Sequence, residues 1–594
     1  MEDLRRAARE CLQRTEESHA LQDSLLGDIT IPDALEPLWQ DIISKGTTNN
    51  QETCESLLVA QGYLKVWGSR ELSNEDENAA NSLYDWASSA TLPSPVFAEA
   101  FDLEESSDAE KEKEVKDSRL RSILAVSALA SLAALLPIRK ASNTPDIVIA
   151  LASFTYEKDP WTTQKSLELS NQLLEEFSKE TKDDELWTFV ERILKERVRP
   201  LFSKTKNPAI TAAGRKNFHP VPLPRFDPSI LNPESKPWKI HDVYATTVFG
   251  WVISQYRSTD RQHLETHFPL LVPVILTLID DESLAFKARG CSILSQFLTP
   301  IRESKSDILR RTNLSSVFED AIRPCLLSLP TITPEDESIQ LLQVAYPALL
   351  SLLKTSYQTS TQENVKKSST TDREAFISGV TKILRDNLIP SFHHISSTNP
   401  TATSSYASFP HPRLSTLLVD EICIILGELG IHTTKYLQEI IPPIYSTLSN
   451  PFGTAYTPLL LSAVSATRAV ILNAHPRLWR WRGEILGGLC TCWLQILDEE
   501  SEIAKRATRG RSSESDQSTG EAMVRLKTEL KGAVYLLKFA LQNPVQAEDD
   551  PGQLDAQENI KKELQELVNA DDTLGDLLLA DIDPNDPGYF GVGS

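Results

Sequence analysis

Three successive segments between residues 236 and 300 carry apolar side chains at the spacing of one helix face. The spacing predicts helices over residues 238–256 and 264–279, and a third helix capped by Ser283. The second is apolar on nearly all sides, which indicates burial between neighbours. Pro273 inside this helix predicts a bend. A helix pair joined by an acidic turn cannot bury its apolar faces alone, so a stack of such pairs is expected.

Helical spacing recurs along most of the chain, and alternating strand patterns bounded by turns are not found. With 594 residues and 40% apolar side chains, the chain has enough material for a long continuous core. The sequence therefore predicts an all-α fold, a HEAT/armadillo-like α-solenoid of stacked antiparallel helix pairs.

Changes of composition divide the chain into four predicted regions. They are an N-terminal helical block at 1–205, a proline-rich crossing segment at 206–237, a C-terminal HEAT-like block at 238–545, and an acidic tail with one short helix at 546–594. Within the first block, residues 104–117 are charged and lack apolar periodicity, so we predict a disordered acidic loop there, with a solvated helical extension as the alternative. Residues 510–519 are expected to be mobile for similar reasons.

Charge and composition limit the possible partners and location. The formal net charge of −23 argues against nucleic acid or an anionic membrane as the main partner. The longest apolar run, 123–136, is too short to span a bilayer, and the N-terminal residues lack the apolar core of a signal peptide. Seven cysteines, an odd number, fit free thiols in a reducing compartment. We expect an intracellular chain, cytoplasmic, with the nucleus as a second location.

Motifs that carry catalysis or bind metals are missing from the sequence. Phosphate-binding and dinucleotide-binding glycine loops and His-Glu-x-x-His are all absent. Cys490 and Cys492 lack a second ligand pair, His393 and His394 are typical of a helix end, and the acidic turn 280–282 is typical of a helix cap. We predict no catalytic, cofactor-binding or metal-binding residues and no enzyme activity. An active site built from residues distant in sequence remains an alternative.

The strongest candidate for a binding surface is the segment 475–482, His-Pro-Arg-Leu-Trp-Arg-Trp-Arg. Arginine and tryptophan are enriched at the energetic centres of interfaces. The predicted partner-binding residues are Arg477, Trp479, Arg480, Trp481 and Arg482. On an α-helix Trp479 would pack inward and Trp481 outward. A solvated helix start and a nucleic-acid site are the alternatives to a protein interface.

Residues on both sides of the proline-rich segment resemble a known family. They are Arg197-Val-Arg-Pro-Leu-Phe within 197–216, Lys236-Pro-Trp-Lys239, and Leu271-Val-Pro-Val-Ile-Leu-Thr-Leu-Ile-Asp-Asp281. This pattern is similar to the Tti-two family, the smaller Tel-two-interacting subunit of the TTT cochaperone complex. The resemblance is densest over residues 190–300, continues more weakly to about 500, and rests on structural positions rather than a catalytic signature.

The resemblance implies a noncatalytic adaptor that forms a heterotrimer with the Tti-one and Tel-two proteins. Such a complex supports folding, stability and assembly of phosphatidylinositol-3-kinase-related kinases, including TOR and the DNA-damage checkpoint kinases. It acts with the ninety-kilodalton heat-shock chaperone and its R-two-TP adaptor. The main alternative from a different class is an importin-type HEAT-repeat transport receptor, which also has an acidic solenoid surface.

Overall fold

The computed structural model describes most of the chain. The described residues are 1–14, 31–45, 49–68, 70, 72–101, 109–203, 207–211, 213–220, 235–357, 368–396, 410–508, 514–542 and 556–580. Within these ranges the regular structure is helical, apart from an isolated antiparallel bridge between Ile210 and Lys216. The predicted all-α class is therefore confirmed. The chain forms two compact units that meet in sequence between Phe318 and Glu319, inside the helix α15, Ser315–Ile322.

Unit 1 contains the helices before this point. They are α1 Glu2–Arg14, α2 Glu36–Lys45, α3 Asn50–Trp67, α4 Asn74–Thr91, α5 Ala109–Leu135, α6 Thr144–Ala152, α7 Gln164–Glu180, α8 Asp183–Ile193, α9 Arg199–Phe202, α10 Pro237–Ile240, α11 Ala245–Ser254, α12 Arg261–Ile279, α13 Leu284–Glu303 and α14 Ile308–Thr312. Short 3-10 helices at Pro95–Phe101 and Ile138–Lys140 join some of them, and a π-helical turn, Leu194–Val198, joins α8 to α9.

Unit 2 contains the helices after this point. They are α16 Glu335–Tyr357, α17 Ser368–Lys382, α18 Ile389–Ser396, α19 Pro412–Leu429, α20 Leu437–Leu448, α21 Thr457–Ala474, α22 Arg482–Thr508, α23 Glu514–Gln542, α24 Ala556–Ala570 and α25 Gly575–Leu578. A second π-helical turn, Ile383–Leu388, joins α17 to α18. Short 3-10 helices lie at Arg323–Leu327, Gly430–Lys435, Gly453–Tyr456, His475–Trp481 and Asp572–Leu574.

Helices in each unit contact the next helix and also the next but one. In unit 1, α5 packs on α4 and also on α3 and α7, and in unit 2, α21 packs on α19, α20 and α23. This is the pattern of helix pairs stacked in two layers, because helices of one layer lie side by side at alternate positions along the chain. The predicted solenoid of stacked helix pairs is confirmed within each unit.

The helix predicted over 238–256 is two helices. α10 ends at Ile240 and α11 begins at Ala245, because the backbone turns at Asp242, whose carbonyl oxygen accepts a hydrogen bond from the Ala245 N–H at 2.8 Å. Ser283 is the N-cap of α13 as predicted, but its side chain makes no capping bond. Its backbone N–H instead donates to Asp281 Oδ1 at 2.9 Å.

Small residues bring α12 and α13 close together. Gly290 in α13 faces the end of α12, and a Cβ atom there would lie 2.8 Å from the backbone nitrogen of Ile279. Only glycine fits that approach, since carbon and nitrogen atoms that are not bonded do not come so near. Gly290 therefore allows α12 and α13 to pack closely.

The prediction of a disordered loop over residues 104–117 is wrong for part of that range. α5 begins at Ala109, so residues 109–117 are the first turns of a helix rather than a loop, with most of their described side chains exposed. This matches the alternative of a solvated helical extension. Residues 104–108 lie outside the described residues, as do 510–513, whereas 514–519 belong to α23. The mobility of both segments remains a prediction.

Helices on the two sides of the proline-rich segment pack against each other. Trp187 of α8 lies 4.8 Å from the ring of Tyr256, and the Thr247 hydroxyl of α11 donates to the carboxylate of Asp159. These contacts place both sides of 206–237 in unit 1, which is why the contact break falls later in the chain than the sequence predicts.

Among the residues that the structure describes, two helical stretches are long and apolar enough, by length and composition alone, to cross a membrane. They are Glu110–Leu135 and Gly453–Arg506, and half of each apolar window is buried inside the protein. Core helices of a solenoid meet the same criteria, and α5 is in contact with α3, α4 and α7. The expectation that a membrane is not a partner remains a prediction.

One structural motif occurs once in each unit. Residues 193–202 and 383–392 share the pattern Ile-Leu-basic-acidic-x-aliphatic-x-Pro-x-Phe. In both, the helix widens into a π-helical turn, and the residue before the proline donates its N–H five residues back, Arg199 to Leu194 and Ile389 to Leu384. A proline inside a helix disrupts the regular hydrogen bonding with the preceding turn, and the wider turn accommodates it.

Candidate partner-binding surface

The segment 475–482, which we call the Arg/Trp patch, connects α21 to α22 in unit 2. Pro476 stands at its start, where its fixed backbone angle and missing N–H are tolerated. Residues 475–481 form a 3-10 helix, in which side chains three residues apart lie one above the other. This periodicity determines which side chains of the patch are buried.

Leu478 anchors the patch, with 0% of its surface exposed. Trp481, three residues later, lies on the same side and is half-buried. Trp479 and Arg482 form a second side, where the Arg482 guanidinium lies 4.1 Å from the centre of the Trp479 ring. Trp479 keeps 40% of its surface exposed. The third side carries Arg477 and Arg480, both exposed.

Arg482 is held in place by α24. Its Nε and Nη2 atoms donate to the two carboxylate oxygens of Glu563 at 2.9 and 2.7 Å, and its Nη1 donates to the Trp479 carbonyl at 2.7 Å. The hydrogen bond from Arg482 lowers the pKa of Glu563, so both groups are charged at neutral pH. A two-point contact of this kind fixes the guanidinium plane and with it the exposed Trp479 ring.

Arg477 and Arg480 have no ion-pair partner among the residues that the structure describes. Arg480 lies 5.9 Å from the centre of the Trp481 ring. The chain has a net charge of −23, yet this surface places two exposed arginines without a described ion-pair partner beside an exposed indole. They leave cationic donors available to an acidic partner surface.

Further apolar residues are exposed on elements next to the patch. The 3-10 helix Gly430–Lys435 contacts the patch and exposes Ile431 (49%), and the last turn of α21 exposes Leu472 (60%). Aromatic, aliphatic and arginine side chains on neighbouring elements have the composition of an interface centre.

The structure corrects the orientation of both tryptophans. Trp479, expected to pack inward, is exposed, and Trp481, expected to point outward, is half-buried. The expectation used α-helical spacing, whereas the 3-10 helix places Trp481 above Leu478. The partner-binding role of all five residues remains a prediction.

The residues that carry the family resemblance converge in unit 1. Trp238 is fully buried, with the Phe202 ring stacked on it at 5.1 Å and the Phe286 ring edge-on at 5.0 Å. Lys236 and Lys239 each form ion pairs with the acidic turn, to Asp281 at 2.7 and 3.2 Å. Sequence segments far apart therefore build one structural junction.

The acidic turn 280–282 is occupied by these lysines. Burial of Glu282 alone would raise its pKa, but hydrogen bonds from Lys236 and Lys239 outweigh this effect and lower the pKa to about 2. The turn is thus a link between helices.

The other candidates for chemistry are structural in the described residues. Burial raises the pKa of Cys490 to about 11 and of Cys492 to about 12, so neither thiol is activated. His393 and His394 lie in the last turn of α18, and His394 Nε2 is 3.3 Å from the Pro330 carbonyl oxygen. Within the described ranges, no group of three or more metal-binding side chains occurs.

The model of the Tti2 family, written Tti-two above, matches residues 147–455, just over half of the chain. The chain belongs to this family. Membership supports the general role of a TTT cochaperone subunit, and it fits a helical scaffold without enzyme activity. The match includes the Trp238 junction and ends before the Arg/Trp patch.

Among solved structures, a chain from the Pds5–Scc1 complex, studied for its implications for cohesin function, aligns with 12% identity. The alignment covers 100% of this chain and 90% of that one, with a TM-score of 0.22. A similarity this low carries no argument about fold or function. No curated protein is a significant match.

Proposed function

We propose that this chain is the noncatalytic scaffold subunit of a TTT cochaperone complex, in a heterotrimer with Tti-one and Tel-two. In this role it supports folding, stability and assembly of phosphatidylinositol-3-kinase-related kinases, TOR and the DNA-damage checkpoint kinases among them, together with the ninety-kilodalton heat-shock chaperone and R-two-TP. Family membership supports the complex, and the exposed Arg/Trp patch is the observation that supports a partner contact.

The Arg/Trp patch is proposed as part of the contact with Tti-one. Trp479 is held in one orientation by Arg482 and Glu563, so binding does not have to order it. Arg477 and Arg480 are free to pair with carboxylates of the partner. The proposed location is the cytoplasm, with the nucleus as a second site.

Affinity purification of the chain at native abundance, followed by mass spectrometry, tests the proposed complex. Recovery of Tti-one and Tel-two is the expected result. Recovery of a Ran-type GTPase without Tti-one would contradict it and favour the importin-type alternative.

A matched pair of variants tests the patch itself. Trp479→Ala with Arg480→Ala removes an exposed indole and an unpaired guanidinium, and should weaken Tti-one binding at least about tenfold without changing the melting temperature. Phe452→Ala with Lys382→Ala removes the same kinds of exposed side chain elsewhere in unit 2 and is the control. Full binding by the patch variant, or equal loss in the control, would show that the interface lies elsewhere.

A further inference from the structure

A cleft of about 430 Å³ opens in unit 1, and none of the residues that line it belongs to the Arg/Trp patch. Its walls come from α4, α6, the π-helical turn Leu194–Val198 with α9, and the start of α11. The π-helical turn is part of the sequence that carries the family resemblance, yet its outward side chains take no part in the Trp238 junction. Such turns occur frequently at functional sites.

The cleft is strongly acidic. Four carboxylates line it, those of Asp85, Asp146, Glu196 and Asp242, against the single guanidinium of Arg197. Arg197 is already paired with Asp146, and Glu196 is paired with Arg192 at 3.0 Å. Asp242 Oδ1 accepts a hydrogen bond from the Tyr244 hydroxyl at 2.9 Å. Asp85 is exposed and has no hydrogen bond or ion pair with the described residues. Negative charge in the cleft is therefore left without a partner.

An independent observation comes from Ser88 on the wall of the cleft. Ser88 is only 2% exposed, and its Oγ atom is buried without a hydrogen-bond partner in the part of the chain that the structure describes. A buried hydroxyl left unpaired is costly, so a group that enters the cleft and hydrogen-bonds with it would gain free energy.

Unit 2 shows how the same motif looks when its outward face is covered. Asn387, Ile389 and Ser391 are buried where α19 contacts both the π-helical turn and α18. The equivalent positions in unit 1 are Arg197, Arg199 and Leu201, of which both arginines are exposed and Leu201 is partly buried. Arg197 and Leu201 line the cleft.

We propose that this cleft binds a basic peptide segment of a partner protein by receiving an arginine or lysine side chain. The head group would pair with Asp85 and Asp242. Rotation of the Ser88 side chain about its Cα–Cβ bond would turn its hydroxyl toward the cleft, where it would accept a hydrogen bond from the head group. The aliphatic stem would lie on Ile149, Leu201 and Val248, since long cationic side chains bury their stems on apolar surface. This site is separate from the proposed Tti-one contact and does not depend on it.

Binding is tested with the full chain and a fluorescein-labelled peptide of four arginines alternating with glycines. A second peptide carries citrulline, neutral and nearly the same shape, at the four positions. Asp85→Asn with Asp242→Asn should raise the Kd of the arginine peptide about tenfold, as expected for the loss of a charge pair. Glu175→Gln with Glu176→Gln removes two exposed carboxylates of α7 and should change the Kd less than twofold.

Ser88→Ala separates binding from structure. The hydroxyl has no hydrogen-bond partner among the described residues, so a purely structural role predicts unchanged binding. The proposal instead predicts a Kd about threefold higher, at a melting temperature that is unchanged or raised because a buried unpaired hydroxyl has been removed. Asp85→Asn alone changes only an exposed side chain, so it still tests the cleft if the double variant does not fold. The proposal would be overturned if the double variant of the cleft bound the arginine peptide as tightly as the parent chain, or if the double variant of α7 weakened binding equally. It would also be overturned if the parent chain bound the citrulline peptide as tightly as the arginine peptide.

Discussion

The π-helical junctions at 193–202 and 383–392 bury the same four positions but differ in the exposure of two others, 197 and 199 in unit 1 and 387 and 389 in unit 2. Ile193, Leu194, Val198 and Phe202 are buried in unit 1, as are their counterparts Ile383, Leu384, Leu388 and Phe392 in unit 2. Arg197 and Arg199 are charged and exposed in unit 1, whereas their counterparts Asn387 and Ile389 are neutral and buried in unit 2, where α19 contacts the junction.

This difference distinguishes the residues that form the π-helical turn from the residues that decide whether its outer face is exposed. Four apolar positions and a proline are enough to fix the widened turn, since both units form it from that pattern. The side chains at 197 and 387 do not determine the turn. They determine whether another helix or a partner can lie against it.

The largest loss of stability is expected when the phenylalanine that both junctions share, Phe202 in unit 1 and Phe392 in unit 2, is replaced by alanine. Phe202→Ala and Phe392→Ala should each lower the free energy of unfolding of their own unit by about 3–5 kcal/mol, because both rings are buried. Urea unfolding of each variant measures the loss. A loss below about 1 kcal/mol in either unit would mean that the two junctions are not equivalent.

Exchanging the polar residues at the variable position should affect the two units unequally. Asn387→Arg places an unpaired charge in a buried position and should cost about 3–5 kcal/mol. Arg197→Asn, at the exposed equivalent, should cost less than about 1 kcal/mol. Melting curves of the two variants, compared with Lys195→Asn as an exposed control, test this. Similar losses of stability for Asn387→Arg and Arg197→Asn would contradict the inference that position 387 is covered by a helix whereas position 197 is exposed.

A smaller effect concerns Glu421 of α19, on the covering helix of unit 2. Burial, aided by the neighbouring Asp420, raises the pKa of Glu421 from 4.5 to about 7. Stability supplied by the protonated form is complete below pH 4.5 and is lost as the pH rises through about 7. Glu421→Gln cannot ionise and should therefore be more stable than the parent chain by about 2–3 kcal/mol at pH 8.

The same comparison at pH 5 should leave a difference below about 1 kcal/mol, because the parent carboxyl is then largely protonated in the folded state. Thermal melts of both proteins at the two pH values provide the check. A Glu421→Gln variant that is no more stable than the parent chain at pH 8 would mean that the Glu421 carboxyl is not buried between α19 and the rest of unit 2.

The sequence predicted the helices and the solenoid because helical periodicity is a local signal. α12, predicted at 264–279, is observed at Arg261–Ile279. Side-chain directions in the Arg/Trp patch were not predicted, since nothing local distinguishes a 3-10 helix from an α-helix at Leu478. The acidic cleft was missed for a different reason. Asp85, Asp146 and Asp242 are far apart in sequence, and no spacing rule connects them.

Hydrogen–deuterium exchange of the full chain, alone and bound to Tti-one, tests most directly the claim that this is a scaffold whose exposed surface holds a partner. The account predicts slower exchange in the complex at residues 475–482 and at Gly430–Lys435, with the buried junctions at 193–202 and 383–392 unchanged. Unchanged exchange across 475–482, with new protection confined to other surfaces, would contradict it.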